Sequence, residues 1–117
     1  MIVGLGIDVV DVERFSRLCD TTIGLTERLF TELERTLPIH SRAARFAAKE
    51  AVIKAMGGPA GSWHDIEVRR TEGAAPEIAF SGGVAARLAE LGADRWHVSL
   101  SHDGGVATAI VILERGD

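Results

Sequence analysis

The chain has 117 residues, of which 46% are hydrophobic and 26% charged, and its formal net charge is −4. These values are typical of one compact globular domain, residues 1–117, and the negative charge does not favour broad binding to nucleic acid or anionic membrane. The single cysteine, Cys19, excludes an internal disulfide, and the first apolar run has no basic segment before it, so a cytoplasmic protein is the expectation.

The first predicted element is a strand at residues 2–10, where valine, isoleucine and leucine are dense. At strand period, Gly4, Gly6 and Asp8 share one face. A buried carboxylate is costly unless it is paired, hydrogen-bonded or bound to a metal. Asp8 is therefore the first candidate for a functional residue.

Helices are predicted to follow this strand. Asp11 is placed to cap a short helix that runs to Leu18, and Thr31 with Glu34 has the spacing of a capping box. The clearest helix opens at Ser41 and ends at Gly57 or Gly58. Its apolar stripe consists of Ala44, Ala48, Ala51, Val52 and Ala55.

The second half of the chain alternates between strands and one further helix. Strands are predicted at residues 64–70, 77–80, 95–101 and 106–114, and an amphipathic helix is predicted between Ser81 and Gly92. The sequence "HDGG" is typical of a turn between two paired strands. The pattern predicts an α+β fold, with a mostly antiparallel sheet packed against a long helix and shorter helices.

The long helix contains a pair that has two interpretations. Glu50 precedes Lys54 by four residues, which is the favoured spacing of a surface salt bridge. Alternatively, Glu50 holds a hard cation such as Mg²⁺ while Lys54 faces a phosphate, and Asp8 supplies a second carboxylate. The second arrangement requires the helix to pack across the first strand, which Gly4 and Gly6 would permit because they lack side chains.

Two histidines near the last turn are weaker candidates. His97 is interpreted as a strand-face residue. His102 and Asp103 form either a turn that hydrogen-bonds to itself or the rim of a phosphate-binding pocket. No third ligand has the spacing of a zinc site, and no Gly-x-Ser-x-Gly nucleophile motif is present.

Several motifs occur in an order that is more specific than any one of them. "GLGIDVVDVERF", "RFAAKEAVIKAMG", "HDIEV" and "HVSLSHD" followed by "ATAIVILE" together resemble the holo-acyl-carrier-protein synthases, the small branch of the 4′-phosphopantetheinyl transferases. The resemblance runs from Ile2 to Glu114. It implies that the chain is an enzyme that moves phosphopantetheine from coenzyme A to a serine hydroxyl of an apo acyl carrier protein and releases 3′,5′-ADP.

The resemblance also implies roles for the central residues. Asp8 and Glu50 match the acids that hold Mg²⁺ against the coenzyme A pyrophosphate, and Lys54 matches a lysine that contacts that phosphate. The protein then needs to do little covalent work, because the cation and Lys54 neutralise charge on the pyrophosphate as the serine oxygen attacks. The general base is left open between Glu50 and a metal-bound water that Glu50 orients.

Further roles follow from the same resemblance. Arg45 and His102 match positions that line the coenzyme A site, and Gly57 is included with them, although the loop at residues 56–61 departs from the family's Gly-Thr-Gly pattern. Arg14 matches a basic residue that faces the carrier, and Arg17 lies three positions later. Family members are typically homotrimers whose active sites lie at subunit interfaces.

Three functions remain to be compared. They are the transferase, a coenzyme A or nucleotide-binding module without catalysis, and a structural oligomerisation domain. The joint presence of Asp8, Glu50 and Lys54 favours the enzyme, because a simple binding module does not need all three. The sequence leaves open whether the acceptor belongs to a fatty-acid, polyketide or peptide synthase.

Overall fold

The computed structural model describes residues 1–116, and it confirms an α+β fold. The elements, in chain order, are β1 (Ile2–Asp11), α1 (Val12–Thr21), α2 (Leu25–Leu29), α3 (Glu32–Arg35), α4 (Ile39–Met56), a 3₁₀ turn (Trp63–Asp65), β2 (Ile66–Arg69), β3 (Glu77–Phe80), α5 (Gly82–Leu91), β4 (Arg95–Asp103) and β5 (Val106–Glu114). None of these helices is long and apolar enough to cross a membrane.

The strands form two antiparallel sheets. In the larger sheet β5 lies between β1 and β4, and β2 and β3 form a separate hairpin. Gly104 and Gly105, both at positive φ, connect β4 to β5, so the predicted turn is confirmed at its two glycines, whereas His102 and Asp103 belong to β4. Asp8 lies opposite Ala109 of β5, so the register places this carboxylate well inside the sheet rather than at a strand end.

Helix α4 packs across β1 and β5 at very short range, as the glycines of β1 predicted. A Cβ added to Gly6 would overlap the carbonyl oxygen of Ala51, and one added to Gly4 would overlap that of Ala55. The alanines on the facing side of α4 are fully buried. Small residues on both elements therefore bring the helix backbone onto the strand, and the next residue on the same strand face is Asp8.

Two predicted helix boundaries were wrong, and one short helix was missed. Helix α4 begins at Ile39 rather than Ser41, because the carbonyl of Pro38 already accepts the first helical hydrogen bond, from Arg42 N–H at 3.0 Å. Helix α1 continues past Leu18 to Thr21, whose hydroxyl bonds back to the carbonyl of Arg17 at 2.8 Å. Helix α2 was not predicted, since five residues give too little periodicity to recognise.

Two strand boundaries were also wrong: β2 covers Ile66–Arg69 rather than residues 64–70, because His64 and Asp65 belong to the 3₁₀ turn, and β4 continues past residue 101 to Asp103. The predicted caps of α1 and α3 and the predicted end of α4 are confirmed. Asp11 caps α1 by accepting the N–H of Arg14 at 2.8 Å, and Thr31 with Glu34 forms the capping box of α3. Gly57, in the left-handed conformation, ends α4. These features fix where α1 begins and where α4 ends beside β1, and so position the side chains described next.

Candidate active site

The candidate site forms where β1 and the last turns of α4 meet. Lys54 of α4 reaches β1, where its Nζ lies 2.9 Å from Asp8 Oδ1 and donates to the Ile7 carbonyl at 2.9 Å. The alternative of a surface salt bridge between Glu50 and Lys54 is therefore wrong, because Lys54 forms its ion pair with Asp8. The carboxylate on the strand and the lysine on the helix are brought together by the close packing at Gly6.

Glu50 belongs to the same electrostatic group. Burial raises the pKa of the Glu50 carboxyl above its usual value, the negative charge of Asp8 raises that pKa further, and the ammonium of Lys54 opposes both effects. Two carboxylates thus share one ammonium, so the group is short of one positive charge. Such a group favours binding of a further cation.

The donor set fits Mg²⁺. Asp8 and Glu50 offer hard oxygen ligands, and Mg²⁺ is commonly held by one or two carboxylates together with water and substrate phosphates. Across residues 1–116, no three histidine, cysteine, aspartate or glutamate side chains converge as a complete protein-only metal cage. The pair is therefore suited to a cation that arrives with, or is completed by, a phosphate ligand.

A groove of about 580 Å³ runs beside this group, between α1, β1 and α4. Asp8 and Glu50 contribute to its polar wall, and Phe15 and Phe46 stack at 5.0 Å between centroids in its apolar wall. The mixed lining suits a ligand that has both a charged and an apolar portion.

The two arginines predicted to dock the carrier also line this groove. Arg14 and Arg17 both project from α1, and Arg17 donates to Glu13 at 2.8 Å. The acidic neighbour reduces the net positive charge of this wall. Arg14 is exposed, and it is the less compensated of the two.

Arg45 and His102 form a second cluster on another face of α4. Arg45 is buried and donates to the carbonyls of Val68 and Ser41, both at 3.3 Å, and burial lowers the pKa of its guanidinium. Together with His102 it lines a pocket of about 210 Å³. Glu50 follows Arg45 by five residues, which corresponds to about 140° around an α-helix, so the two side chains point in different directions.

The second cluster contains residues that the sequence did not reveal. The ring of His40 lies 5.5 Å from that of His102, and Arg70 lines the same pocket. These contacts join residues from α4, β4 and the segment after β2, and no local spacing indicates them. His102 lies in β4 rather than in the turn, so the turn interpretation of this residue is wrong; it lines two pockets, and its role at the rim of a phosphate-binding pocket stays a prediction.

Gly57 lies in neither cluster. It is the left-handed residue that ends α4, three positions after Lys54, and the space around its Cα is open. Its backbone is therefore accessible to a ligand, but the structure gives it a local role as a helix terminator.

Comparison with known proteins agrees with these features. Residues 4–111 match the family model described as the 4′-phosphopantetheinyl transferase superfamily. The holo-[acyl-carrier-protein] synthase of Clavibacter michiganensis is 56% identical to the chain over 97% of both sequences.

Solved structures give the same result. The complex of acyl-carrier-protein synthase and coenzyme A from Chronobacterium ammoniagenes has a TM-score of 0.84 at 31% identity and covers 97% of this chain and 98% of that one. The Bacillus anthracis holo-(acyl-carrier-protein) synthase, in complex with coenzyme A (3′,5′-ADP), has a TM-score of 0.80 at 35% identity and covers 99% of both chains.

Proposed function

The chain belongs to the 4′-phosphopantetheinyl transferase superfamily, in the branch of the holo-[acyl-carrier-protein] synthases, and it is an enzyme of that class. On that premise we propose that it transfers 4′-phosphopantetheine from coenzyme A to a serine of an apo acyl carrier protein, with Mg²⁺ as cofactor and 3′,5′-ADP as product. The observation that supports this most strongly is the convergence of Asp8, Glu50 and Lys54 beside one groove.

The chain's residues have separate tasks in this reaction. Asp8 and Glu50 hold Mg²⁺, which when bound supplies positive charge to the pyrophosphate of the donor. Lys54 donates hydrogen bonds to phosphate oxygens and stabilises the charge that develops as the serine oxygen bonds to phosphorus and the bond to 3′,5′-ADP breaks. The serine proton goes to Glu50 or to a water that Glu50 orients, and both remain candidates.

The separation of the two clusters supports an active site shared between subunits. Arg45 and His102 line a pocket that has no residue in common with the groove at Asp8 and Glu50. We expect coenzyme A to contact the groove of one subunit and the Arg45 pocket of its neighbour in a homotrimer.

The outer face of the large sheet provides the surface for such an assembly. Leu5, Ile7 and Val9 of β1 are each about 60% exposed, and Ile110 of β5 continues the same face. A contiguous apolar face of this kind is typical of a protein–protein interface. Ile7→Glu is expected to convert the trimer to a monomer in analytical ultracentrifugation, and an unchanged mass would contradict this interface.

The decisive test of the proposed function is intact-protein mass spectrometry of an apo carrier incubated with the enzyme, coenzyme A and Mg²⁺. The mass of one phosphopantetheine group should appear on the carrier, and a binding module without catalysis would leave the carrier mass unchanged. Apo carriers from fatty-acid, polyketide and peptide synthases compared side by side would identify the acceptor class. The cytoplasmic location stays a prediction, which cell fractionation checks.

A further inference from the structure

The ammonium of Lys54 neutralises the Asp8 carboxylate, which is one of the two metal ligands of the proposed function. Its Nζ contacts both Asp8 Oδ1 and the Ile7 carbonyl at 2.9 Å, so two of its three N–H groups are directed at β1. Arg17, which lines the groove beside Asp8, is instead paired with Glu13 at 2.8 Å. The positive charge in direct contact with Asp8, among the residues that the structure describes, is therefore that of Lys54.

Lys54 and a divalent cation compete for this carboxylate. Mg²⁺ binds carboxylate oxygens at about 2.0–2.1 Å and demands near-octahedral geometry. An ammonium held on the same oxygen would lie within a few ångströms of the metal, where like charges repel. Lys54 and Mg²⁺ therefore cannot both form their full electrostatic interaction with the Asp8 carboxylate at the same time.

Lys54 is able to leave Asp8. Its side chain is 54% exposed, whereas that of Asp8 is 16% exposed. Half-exposed ion pairs contribute little net free energy, and the lysine stem has many accessible rotamers. Lys54 can therefore move at small cost, while Asp8 stays fixed on its strand.

Resting on the proposed function, we propose that Lys54 is an exchangeable counter-ion of Asp8, which a divalent cation displaces and which the diphosphate of the donor then accepts. The diphosphate of the donor binds Lys54 and so removes it from competition with the metal for Asp8. The metal, by displacing Lys54 from Asp8, in turn frees this lysine to bind the donor. Metal and donor consequently bind with positive coupling, and by linkage each tightens the other by the same factor. The site therefore binds the metal more weakly when the donor is absent.

Calorimetric titration of the full chain with Mg²⁺, with neither carrier nor coenzyme A present, tests the exchange without any turnover. Lys54→Gln should bind the metal about fivefold more tightly than the wild type, the size expected when one partly exposed ion pair no longer competes. Addition of coenzyme A should tighten metal binding in the wild type and do so less in Lys54→Gln.

Arg69→Gln is a matched control. Arg69 pairs with Glu67 through side chains that are 60% and 18% exposed, close to the values for Lys54 and Asp8, and it lies on β2. Arg69→Gln removes one positive charge, as Lys54→Gln does, so it corrects for the effect of a more negative protein on metal affinity. Equal metal affinity in Lys54→Gln and Arg69→Gln would overturn the exchange.

Glu50→Gln separates this inference from the proposed function. If Glu50→Gln weakens metal binding while Lys54→Gln leaves it unchanged, the exchange is wrong and the metal site stands. If Glu50→Gln binds metal as the wild type does, the assigned metal site fails and the exchange fails with it.

NMR relaxation of the lysine side chains observes the displacement directly. The chain has two lysines, Lys49 and Lys54, so ¹³C-lysine labelling gives two sets of signals, and the fully buried Lys49 is an internal reference. Saturating Mg²⁺ should lower the order parameter of the Lys54 ε-methylene and leave that of Lys49 unchanged, and coenzyme A should raise it again. An unchanged Lys54 order parameter at saturating Mg²⁺ would overturn the proposal.

Discussion

Helix α4 carries both lysines of the chain, and their two ion pairs differ in burial. Lys49 Nζ lies 2.6 Å from Glu34 Oε1, and neither side chain is exposed to solvent. Lys54 Nζ lies 2.9 Å from Asp8 Oδ1, and its side chain is half-exposed. The lysines are five residues apart on one helix, yet the first pair is enclosed by protein and the second borders a groove.

The buried pair is fully satisfied. Lys49 also donates to the carbonyls of Leu29 at 2.7 Å and Trp63 at 3.2 Å, so all three of its N–H groups are used. Glu34 accepts from the backbone N–H groups of Thr31 and Val68. Burial lowers the pKa of Lys49, and the hydrogen bond and charge of Glu34 oppose that shift. The pair joins α2, α3, α4 and β2, and both side chains are enclosed by protein, so the pair is closed to a ligand.

The pair at the groove is not satisfied in this way. Asp8 and Glu50 share the ammonium of Lys54, and the pKa of the Glu50 carboxyl is raised first by burial and then by the negative charge of Asp8. The comparison therefore separates two roles on one helix. Lys49 fixes the position of α4. Lys54 lies on the same helix but is half-exposed, so it is free to leave Asp8 and to contact the phosphates of the donor.

The largest expected effect comes from breaking the buried pair. Lys49→Met should lower the free energy of unfolding by about 3–5 kcal/mol, because it leaves Glu34 charged and buried without its partner. Lys54→Met is the matched control and should cost no more than about 1 kcal/mol. Urea denaturation measures both, and similar losses in the two variants would mean that burial does not distinguish the pairs.

Substitution of Lys54, which has the smaller effect on stability, should have the larger effect on the rate of transfer. Lys54→Gln should lower kcat about 10²-fold, as expected for loss of one group that stabilises transition-state charge, while the melting temperature changes little. Steady-state kinetics and thermal melting on the same sample check this. An unchanged kcat with a slightly lower melting temperature would return Lys54 to the role of a surface ion pair.

A smaller effect is expected at the wall of the groove formed by α1. Carriers of this class are expected to be acidic, and the chain itself has a net charge of −4, so docking needs local positive charge. Arg14→Glu should raise KM for the carrier several-fold and leave coenzyme A affinity unchanged, with a difference that shrinks as salt rises.

Arg28→Glu provides the control for Arg14→Glu, because Arg28 is exposed on α2 and undergoes the same charge reversal. Equal carrier KM in the wild type and Arg14→Glu at low ionic strength would exclude α1 as the docking surface. A parallel loss of coenzyme A affinity would instead assign Arg14 to the donor site.

The smallest expected effect is on the pH dependence of stability without metal. Since the folded pKa of Glu50 is raised above its unfolded value, folding favours the protonated form. The contribution of Glu50 is therefore fully present below the unfolded pKa and is lost as pH rises through the raised folded pKa. Glu50→Gln should flatten this part of the curve of melting temperature against pH. Superimposable curves for the two proteins would contradict the raised pKa.

Local patterns were sufficient to predict much of this molecule. The period-two pattern of β1 correctly placed Gly4, Gly6 and Asp8 on one face, and the two glycines correctly predicted the close approach of α4. The alanine stripe of α4 is buried as predicted. These features depend on side-chain size and spacing within single elements, which a sequence shows directly.

Partners distant in the chain could not be predicted. Helix spacing favoured Glu50 as the partner of Lys54, whereas the structure pairs Lys54 with Asp8, 46 residues away. Lys49 precedes Val52 by three residues and Met56 by seven, which places it on the buried face of α4. That spacing indicates that the ammonium of Lys49 needs a buried acidic partner. The identity of that partner, Glu34, depends on how α3 folds back onto α4.

If Asp8 and Glu50 form a metal-dependent transfer site, the rate of transfer must depend on Mg²⁺ through these two carboxylates. The rate should be measured by mass spectrometry of the carrier at saturating coenzyme A, over a range of Mg²⁺ concentrations, for the wild type and Asp8→Asn. We predict saturable activation by Mg²⁺ in the wild type and a loss of at least about 10²-fold in a folded Asp8→Asn variant. Wild-type rates and Mg²⁺ dependence in Asp8→Asn would contradict the assignment of this site.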